Sequence, residues 1–442
     1  MSTEEKIRKK IHALVKTLFT QKQKNKKFIP GKSLISIGEK VYDEQELING
    51  ADAVLDGWWT EGRFAKEFED KFSKLIGKKY VSLTNSGSSA NLIAVSALTS
   101  ATLEERALKP GDEVITAAMG FPTTVNPIIL QQAVPVFVDV KLETGNVDMF
   151  QVEKAISKKT KAIVLAHTLG NPFPVKEVAA IAKKYNLWVI EDCCDALGST
   201  YQKKQVGSFG DMATFSFYAA HHITMGQGGA VITNNALLHA AIRQFSNWGS
   251  ECLCDPGKHN YCKNVIKRPK FKTLPKEYYH RYIYSQIGFN TRLTDMQAAL
   301  GVPQIKKLGK FTKKRQDNFN ALYAFFKQYE TYFILSTWEK EASPSWFGFM
   351  LILRDNSPFT RYDIVGFLES KKISTRSPLG GNLLRHPAYE NIKHRVIGDL
   401  KNSNKMMNDG FWIGVHPGIG KEQLQYIMQV FHEFFKTFDR KR

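Results

Sequence analysis

Three short segments hold residues whose types and spacing could do chemistry. The first, Thr84-Asn-Ser-Gly-Ser-Ser-Ala-Asn91, follows a β-rich run and opens a helical one. Gly87 permits a tight turn, and the amides after it would point out of a helix N-terminus, which suits a phosphate. An ordinary capped helix start reads the same way. The second, Trp188-Val-Ile-Glu-Asp-Cys-Cys-Asp195, is an apolar strand that ends in acids and thiols. A carboxylate at Asp192 can cap a loop. It can equally hold a pyridinium nitrogen protonated, which makes a bound ring an electron sink. The third, Ser216-Phe-Tyr-Ala-Ala-His-His-Ile-Thr-Met-Gly-Gln-Gly-Gly229, sets a serine five residues before His221 and closes in a glycine-rich turn. Imidazole titrates near neutral pH and suits proton transfer there.

The five cysteines are clustered: Cys193 and Cys194, then Cys252, Cys254 and Cys262. In a long chain with no sign of export this favours metal or redox chemistry over structural disulfides. Four thiolates are the usual complement of an iron–sulfur cluster. The Cys-x-Cys-x₇-Cys spacing is neither a zinc ribbon nor a plant ferredoxin pattern. A structural zinc, or reduced cysteines with no ligand, are the competing readings.

Positioning these segments requires strands that end where the motifs begin. β-rich runs occur at Tyr80–Leu83, Glu113–Thr116, Val136–Val138, Ala162–Leu165 and Leu187–Ile190, with helical stretches such as Ser89–Leu98 and Val152–Ile156 between them. This alternation predicts an α/β fold with a largely parallel sheet, whose sites lie at strand carboxyl ends. Residues 249–286 are polar, basic and Tyr-rich, and read as an inserted loop. A helical stretch follows at about 293–330, and the last third mixes strands and helices as a smaller domain would. The expected division is a basic helical arm at 1–50, a large domain at 51–310 and a small C-terminal α/β domain at 311–442.

With 442 residues, 43% hydrophobic and 24% charged, the chain buries a large core unaided and is not disordered, collagenous or a disulfide scaffold. No apolar run approaches the roughly 18 residues of a membrane span. The first apolar residues, from Ile7 to Phe19, recur at helical spacing and do not form a signal peptide, so a cytoplasmic location is expected. The net charge of +20 is concentrated in residues 1–33 and 256–286. No helix-turn-helix, RNP or zinc-finger pattern accompanies it, so no nucleic acid and no membrane partner is expected. A solvated lysine face is the simple reading; attraction for a nucleotide diphosphate or an acidic protein is the functional one.

The order of these motifs resembles the DegT/DnrJ/EryC1 family of sugar aminotransferases and dehydratases, fold-type I pyridoxal phosphate enzymes. Trp59-Thr-Glu-Gly-Arg63, Phe121 in Ala-Ala-Met-Gly-Phe-Pro-Thr-Thr, and Gly288-Phe-Asn-Thr-Arg-Leu-Thr-Asp295 extend the resemblance over about residues 35–435. It departs at one position: family aminotransferases carry the Schiff-base lysine where this chain has His221. Imidazole cannot make that link. The resemblance therefore implies coenzyme held non-covalently as pyridoxamine phosphate, with His221 as the catalytic base. A non-catalytic regulator or scaffold that keeps the fold is the opposing reading.

Two dehydratase subgroups carry this exchange. One acts on GDP-4-keto-6-deoxymannose without a metal cluster. The other acts on a CDP-4-keto-6-deoxyhexose in 3,6-dideoxysugar and O-antigen synthesis, with a 2Fe–2S cluster and a separate flavin/iron–sulfur reductase. The Cys252–Cys262 segment resembles the second, which implies Cys194, Cys252, Cys254 and Cys262 as ligands. By the same resemblance Gly87, Ser88, Ser89 and Ser216 hold the phosphate, Phe121 stacks on the ring, and Asp192 meets the ring nitrogen. Asp195 lies by the ring hydroxyl, where the aminotransferases usually have Gln. Asn290 crosses a homodimer interface to the phosphate, and Tyr218, Arg376 and His386 face the nucleotide sugar. Gln227 replaces a glutamate common in the family's glycine-rich turn.

Overall fold

The computed structural model describes residues 2–24, 27–254, 266–267 and 271–439. Seven strands of the main sheet come from residues 80–233: β1 (Tyr80–Thr84), β2 (Glu113–Ala117), β3 (Val134–Val138), β4 (Thr160–Ala166), β5 (Trp188–Asp192), β6 (Met212–Ser216) and β7 (Gly229–Thr233). The strand Arg395–Val396 from the C-terminal third is the eighth. Their order is β1-β7-β6-β5-β4-β2-β3 and then Arg395–Val396. Only β7 runs antiparallel to its neighbours. Near-continuous burial along β3, β5, β6 and β7 is what a sheet covered on both faces demands.

Five helices prepare the site: α1 (Thr3–Lys24), α2 (Glu44–Leu55), α3 (Arg63–Ile76), α4 (Gly87–Ala97) and α5 (Pro122–Leu130). In α3, Phe64, Phe68, Phe72 and Ile76 recur every four residues and are all buried. Phe68 and Phe72 meet Phe215 and Phe217 at the end of β6 edge-on. At roughly 1.5–3 kcal/mol per fully buried apolar side chain, this stripe fixes the floor beneath the Ser216–Gly229 segment. The arm helix α1 buries none of its residues. Arg8 and His12 reach Asp52, which ties it to α2.

The helix Asp295–Phe326 begins at a Thr294/Gln297 capping box. Its Leu308 and Phe311 pack with α3 and β6, while Phe319, Leu322 and Phe326 belong to the core of a second, four-stranded antiparallel sheet. That sheet has the order Phe333–Leu335, Gly348–Leu353, Gly410–Gly414, Thr375–Arg376. One helix thus spans both cores and runs through position 310, and the C-terminal third also lends a strand to the large sheet.

The inserted segment is closed at its base by bridges between Asn247 and Asn290 and between Ser250 and Tyr284. Among the described residues, no helix is long and apolar enough to cross a membrane.

Candidate active site

Strand β1 ends at Thr84, and the chain turns into α4 with Ser86 as N-cap, its hydroxyl accepting from the Ser89 amide. Asn85 binds the Ser89 hydroxyl at 2.6 Å, and its own amide donates to Thr291 O at 2.6 Å. Gly87 is buried, and a Cβ there would collide with the Ser216 side chain and press on Cys194 Sγ. Glycine at 87 therefore lets the Ser216 hydroxyl stand directly against the N-terminus of α4. A hydroxyl beside a helix N-terminus suits a phosphate.

At the end of β5 the Asp192 carboxylate is 5% exposed. Asn91 and Thr124 donate to its Oδ2 at 2.8 and 2.7 Å, and the Cys194 amide donates to Oδ1 at 3.1 Å. Thr214 in turn donates to Asn91 Oδ1 at 2.5 Å. The carboxylate is thus aimed by two strands and two helices. Phe121 caps α5 with 51% of its surface exposed, an apolar ring presented rather than packed.

His221 lies beside these groups. Its Nδ1 is 2.6 Å from Cys194 O, an atom that only accepts, so Nδ1 carries the proton and Nε2 keeps its lone pair. The ring stacks on Phe347 at 5.0 Å. Burial, reinforced by Arg315, lowers its pKa to about 4, so the imidazole is neutral at neutral pH. Asp195 Oδ1 lies 3.6 Å from Nδ1. Burial and then Asp192 push the Asp195 carboxyl up to about 7, against the pull of Arg315. His222 faces away: it is buried, and its Nε2 donates to Ser345 O at 2.6 Å.

The other expected residues divide into two groups. Ser88 is exposed at the start of α4, and Tyr218 stands edge-on to His221 at 6.1 Å. Asn290 is exposed next to Thr291, which holds Asn85. The segment with His386 reaches the Phe121 loop through Gly380 N–Gly120 O at 2.8 Å, and His386 itself bonds Gly380 O. Arg376 is exposed on the small sheet and bonds its own neighbour's carbonyl, so no contact brings it to the others.

Among the described residues, the cysteines fall into two separate groups. Ligand atoms of Cys252, Cys254 and His280 lie within 4.8 Å of one another. They stand by the β1 edge, where Cys252 and Cys254 line a cavity of about 490 Å³ together with Trp58, Lys79, Arg243 and Arg292. Cys194 is instead part of the floor under Gly87, and Cys262 lies outside the described residues. Burial and the neighbouring Asp192 hold the Cys194 thiol well above its usual range, so it stays protonated in this setting. Cys193 is core, packed beneath β6. A second group, His167, Glu191 and Cys193, has ligand spacing too. There Glu191 already accepts from His167 and from the amides of Gly207, Phe209 and Gly210, and His167 Nδ1 accepts from Phe173, so the acid and imidazole are structural.

A model of the DegT/DnrJ/EryC1/StrS aminotransferase family matches residues 41–432. The chain belongs to that family. It is 47% identical over 433 residues to the lipopolysaccharide biosynthesis protein RfbH of Salmonella typhimurium, covering 98% of this chain and 99% of the relative. It is 42% identical over 416 residues to a dTDP-4-dehydro-2,6-dideoxy-D-glucose 3-dehydratase of Saccharopolyspora spinosa, covering 94% and 90%. Among solved structures, Escherichia coli GDP-4-keto-6-deoxy-D-mannose-3-dehydratase with bound hydrated PLP superimposes with a TM-score of 0.80 at 28% identity, covering 90% of this chain and 98% of that one. The fold is that of pyridoxal phosphate-dependent aminotransferases and dehydratases, as the sequence led us to expect.

Sequence reasoning left Asn91, Thr124 and Thr214 without a role, although they aim Asp192. It also passed over Phe347 and Arg315 behind His221. Arg315 had a signal: it occupies the apolar register of Leu308, Phe311, Phe319 and Leu322 yet is 1% exposed.

Proposed function

We propose that this chain is a pyridoxamine phosphate-dependent dehydratase that removes the 3-hydroxyl of a nucleotide-activated 4-keto-6-deoxyhexose. The observation that carries the reading is His221: a neutral imidazole with Nδ1 committed to Cys194 O and Nε2 left as a base. It stands where family aminotransferases keep an amine for covalent attachment. The residues fit the coenzyme. Gly87, Ser88, Ser89 and Ser216 would hold the phosphate, Phe121 the ring face, and Asp192 the ring nitrogen, with Asp195 near the ring hydroxyl.

When bound, the coenzyme supplies an amine that condenses with the sugar's keto group and a ring that accepts electron density. His221 Nε2 takes the proton from the coenzyme's methylene carbon. Asp192 keeps its orientation throughout because Asn91 and Thr124 hold one oxygen. Asn290 from a second copy would complete the phosphate site in a homodimer, and Tyr218 and His386 would face the sugar, with Arg376 left outside that group. The names of the 3-dehydratase relatives support the same reaction class.

The finer reading adds a 2Fe–2S cluster on Cys194, Cys252, Cys254 and Cys262, charged by a separate flavin/iron–sulfur reductase, and a CDP-linked substrate. The unsaturated product of dehydration needs two electrons to become the 3-deoxy sugar, and a cluster delivers them singly. Its support is the pairing of the Cys252 and Cys254 thiols at metal distance, in a segment that resembles the cluster-bearing subgroup. Cys194 lies under Gly87 and not in the cavity that Cys252 and Cys254 line, so the four-thiolate set would form only if metal binding drew these segments together. A cluster-free enzyme that reloads its coenzyme from glutamate is favoured instead by the likeness to the GDP-sugar dehydratases.

Iron and sulfide analysis of anaerobically purified protein separates the two readings. The cluster reading expects two irons and two sulfides per chain, and neither element supports the alternative. Incubation with CDP-, dTDP- and GDP-linked 4-keto-6-deoxyhexoses then assigns the nucleotide.

A further inference from the structure

Among the largest fully buried side chains of the described residues is an arginine that the reaction does not touch. Arg315, on the helix Asp295–Phe326, is 1% exposed. Its Nη2 donates to His221 O at 3.2 Å, and its Nη1 donates to Trp346 O at 3.1 Å and Phe347 O at 3.5 Å. These carbonyls belong to the two stretches of chain that enclose the His221 imidazole. One is the turn after β6 that bears His221. The other is the segment before Gly348–Leu353 that bears Phe347, the ring on which His221 stacks. His222 ties the same two stretches together by donating to Ser345 O.

We infer that Arg315 is a positioning residue for His221, clamping the backbone on both sides of the imidazole so that Nδ1 stays on Cys194 O and Nε2 stays turned to the cleft. The inference rests on the dehydratase reading above for what His221 does, but not for how it is held. A buried guanidinium is costly, and here its two Nη atoms donate to main-chain carbonyls of loops rather than to a carboxylate, while its Nε has no partner among the described residues. Its planar fork reaches carbonyls on two separate segments at once, which an ammonium matches only in part. Hydrophobic packing would suffice if the helix had merely to cover the core. At Arg315, as at Asn318 one turn on, the chain places a side-chain donor in the Leu308–Phe326 stripe instead, and only that of Arg315 reaches the two stretches around His221. Nothing in a chain of aliphatic residues could fix two loops in register to the tolerance that proton transfer needs.

The test uses ring-¹⁵N-histidine protein without coenzyme, so that it does not depend on activity. The His221 signals are assigned by their loss in His221→Asn. Wild-type protein should show His221 as a single Nδ1–H tautomer. Arg315→Met should replace that pattern by a tautomer mixture or a broadened signal, and Arg315→Gln should do so partly. With coenzyme and substrate, Arg315→Met should lose roughly 10²-fold in kcat with KM changed little, as expected when a catalytic group is misplaced by about 1 Å. Arg315→Lys should recover at least a tenth of the wild-type kcat.

If Arg315→Met does not fold, the comparison of Gln and Lys against wild type carries the same test. An unchanged His221 tautomer together with wild-type kcat in the Gln and Met variants would overturn the inference. So would equal rises in KM and falls in kcat with no recovery in Lys. A wild-type protein that shows the single tautomer but dehydrates no sugar would count against the functional reading and leave the clamp standing.

Discussion

At the ends of β5 and β6, the polar groups of the coenzyme cleft are held by named partners before any ligand arrives. Asp192 has Asn91, Thr124 and the Cys194 amide; His221 has Cys194 O and Phe347; Gly87 lets Ser216 pack against the start of α4. At the β1 edge the situation is different. Cys252 and Cys254 are half-buried, separated by an exposed Leu253, and share ligand distance with His280 beside a polar cavity. The first region is preorganised by strands and helix caps, so its geometry is written into the fold. The second sits in an insertion whose base is zipped and which brings only three ligand atoms, from Cys252, Cys254 and His280, together among the described residues. Chemistry on a reacting carbon needs the first kind of site. A one-electron relay tolerates the second.

Removing the base should break the first region most severely. His221→Asn is expected to lower dehydration and proton exchange at the coenzyme's methylene carbon together, by roughly 10²–10⁴-fold, while coenzyme binding by equilibrium dialysis persists. His222→Asn should cost much less rate, because that imidazole bonds Ser345 O away from the cleft. Equal losses in both would mean that the register of the turn has been misread.

The second region should be broken separately. Cys252→Ser and Cys254→Ser are each expected to remove or weaken the visible iron–sulfur absorption without changing coenzyme affinity. Cys194→Ser probes the contrast itself: under the proposed four-thiolate set it bleaches the absorption as well. Full absorption in Cys194→Ser would keep the two regions independent and remove Cys194 from the ligand set.

Smaller effects follow from the support around Asp192. Thr214→Val leaves Asn91 Oδ1 without its buried donor, and Asn91→Leu removes one of two donors to Asp192. Each should lower unfolding stability by about 1–3 kcal/mol and weaken coenzyme binding, measured by urea denaturation and dialysis.

Much of this arrangement was legible in the chain. The runs ending at Leu83, Thr116 and Ile190 became strands because branched and aromatic residues were bounded by turn signals. Counting five from Ser216 singled out His221 over His222; in the structure the His221 ring lies against Cys194 O and Asp195, and His222 is turned to Ser345 O. The partners of Asp192 were not legible, because Thr124 and Asn91 lie 68 and 101 residues from it in sequence. Only the sheet order brings them together. Arg315 was hidden in Lys313-Lys314-Arg315, which looks like a solvated run until the apolar spacing around it is read as one helix face. The strand Arg395–Val396 gave no signal of its own; it joins β3 because the C-terminal third folds back over the large sheet.

The smallest expected effect is in pH dependence. His221 has its pKa lowered from 6.5 to about 4, so the unfolded chain takes up the proton first and stability falls as the pH drops through that window. Asp195 works the other way: raised to about 7, its contribution is lost as the pH rises through that value. Urea midpoints of His221→Asn should fall less steeply than wild type between pH 6.5 and 4, and those of Asp195→Asn should flatten the neutral side. Wild-type slopes in both variants would contradict the burial assigned to these groups.

The central claim is that the site dehydrates at C3 and does not transfer an amine. Its most direct test is mass spectrometry of the sugar nucleotide after anaerobic incubation of the protein, loaded with pyridoxamine phosphate, with a nucleotide-linked 4-keto-6-deoxyhexose and a chemical reductant, in the presence and absence of glutamate. The account predicts a product that has lost the 3-hydroxyl and gained no nitrogen in both cases. A 4-amino sugar that keeps its 3-hydroxyl and forms only with glutamate would contradict it.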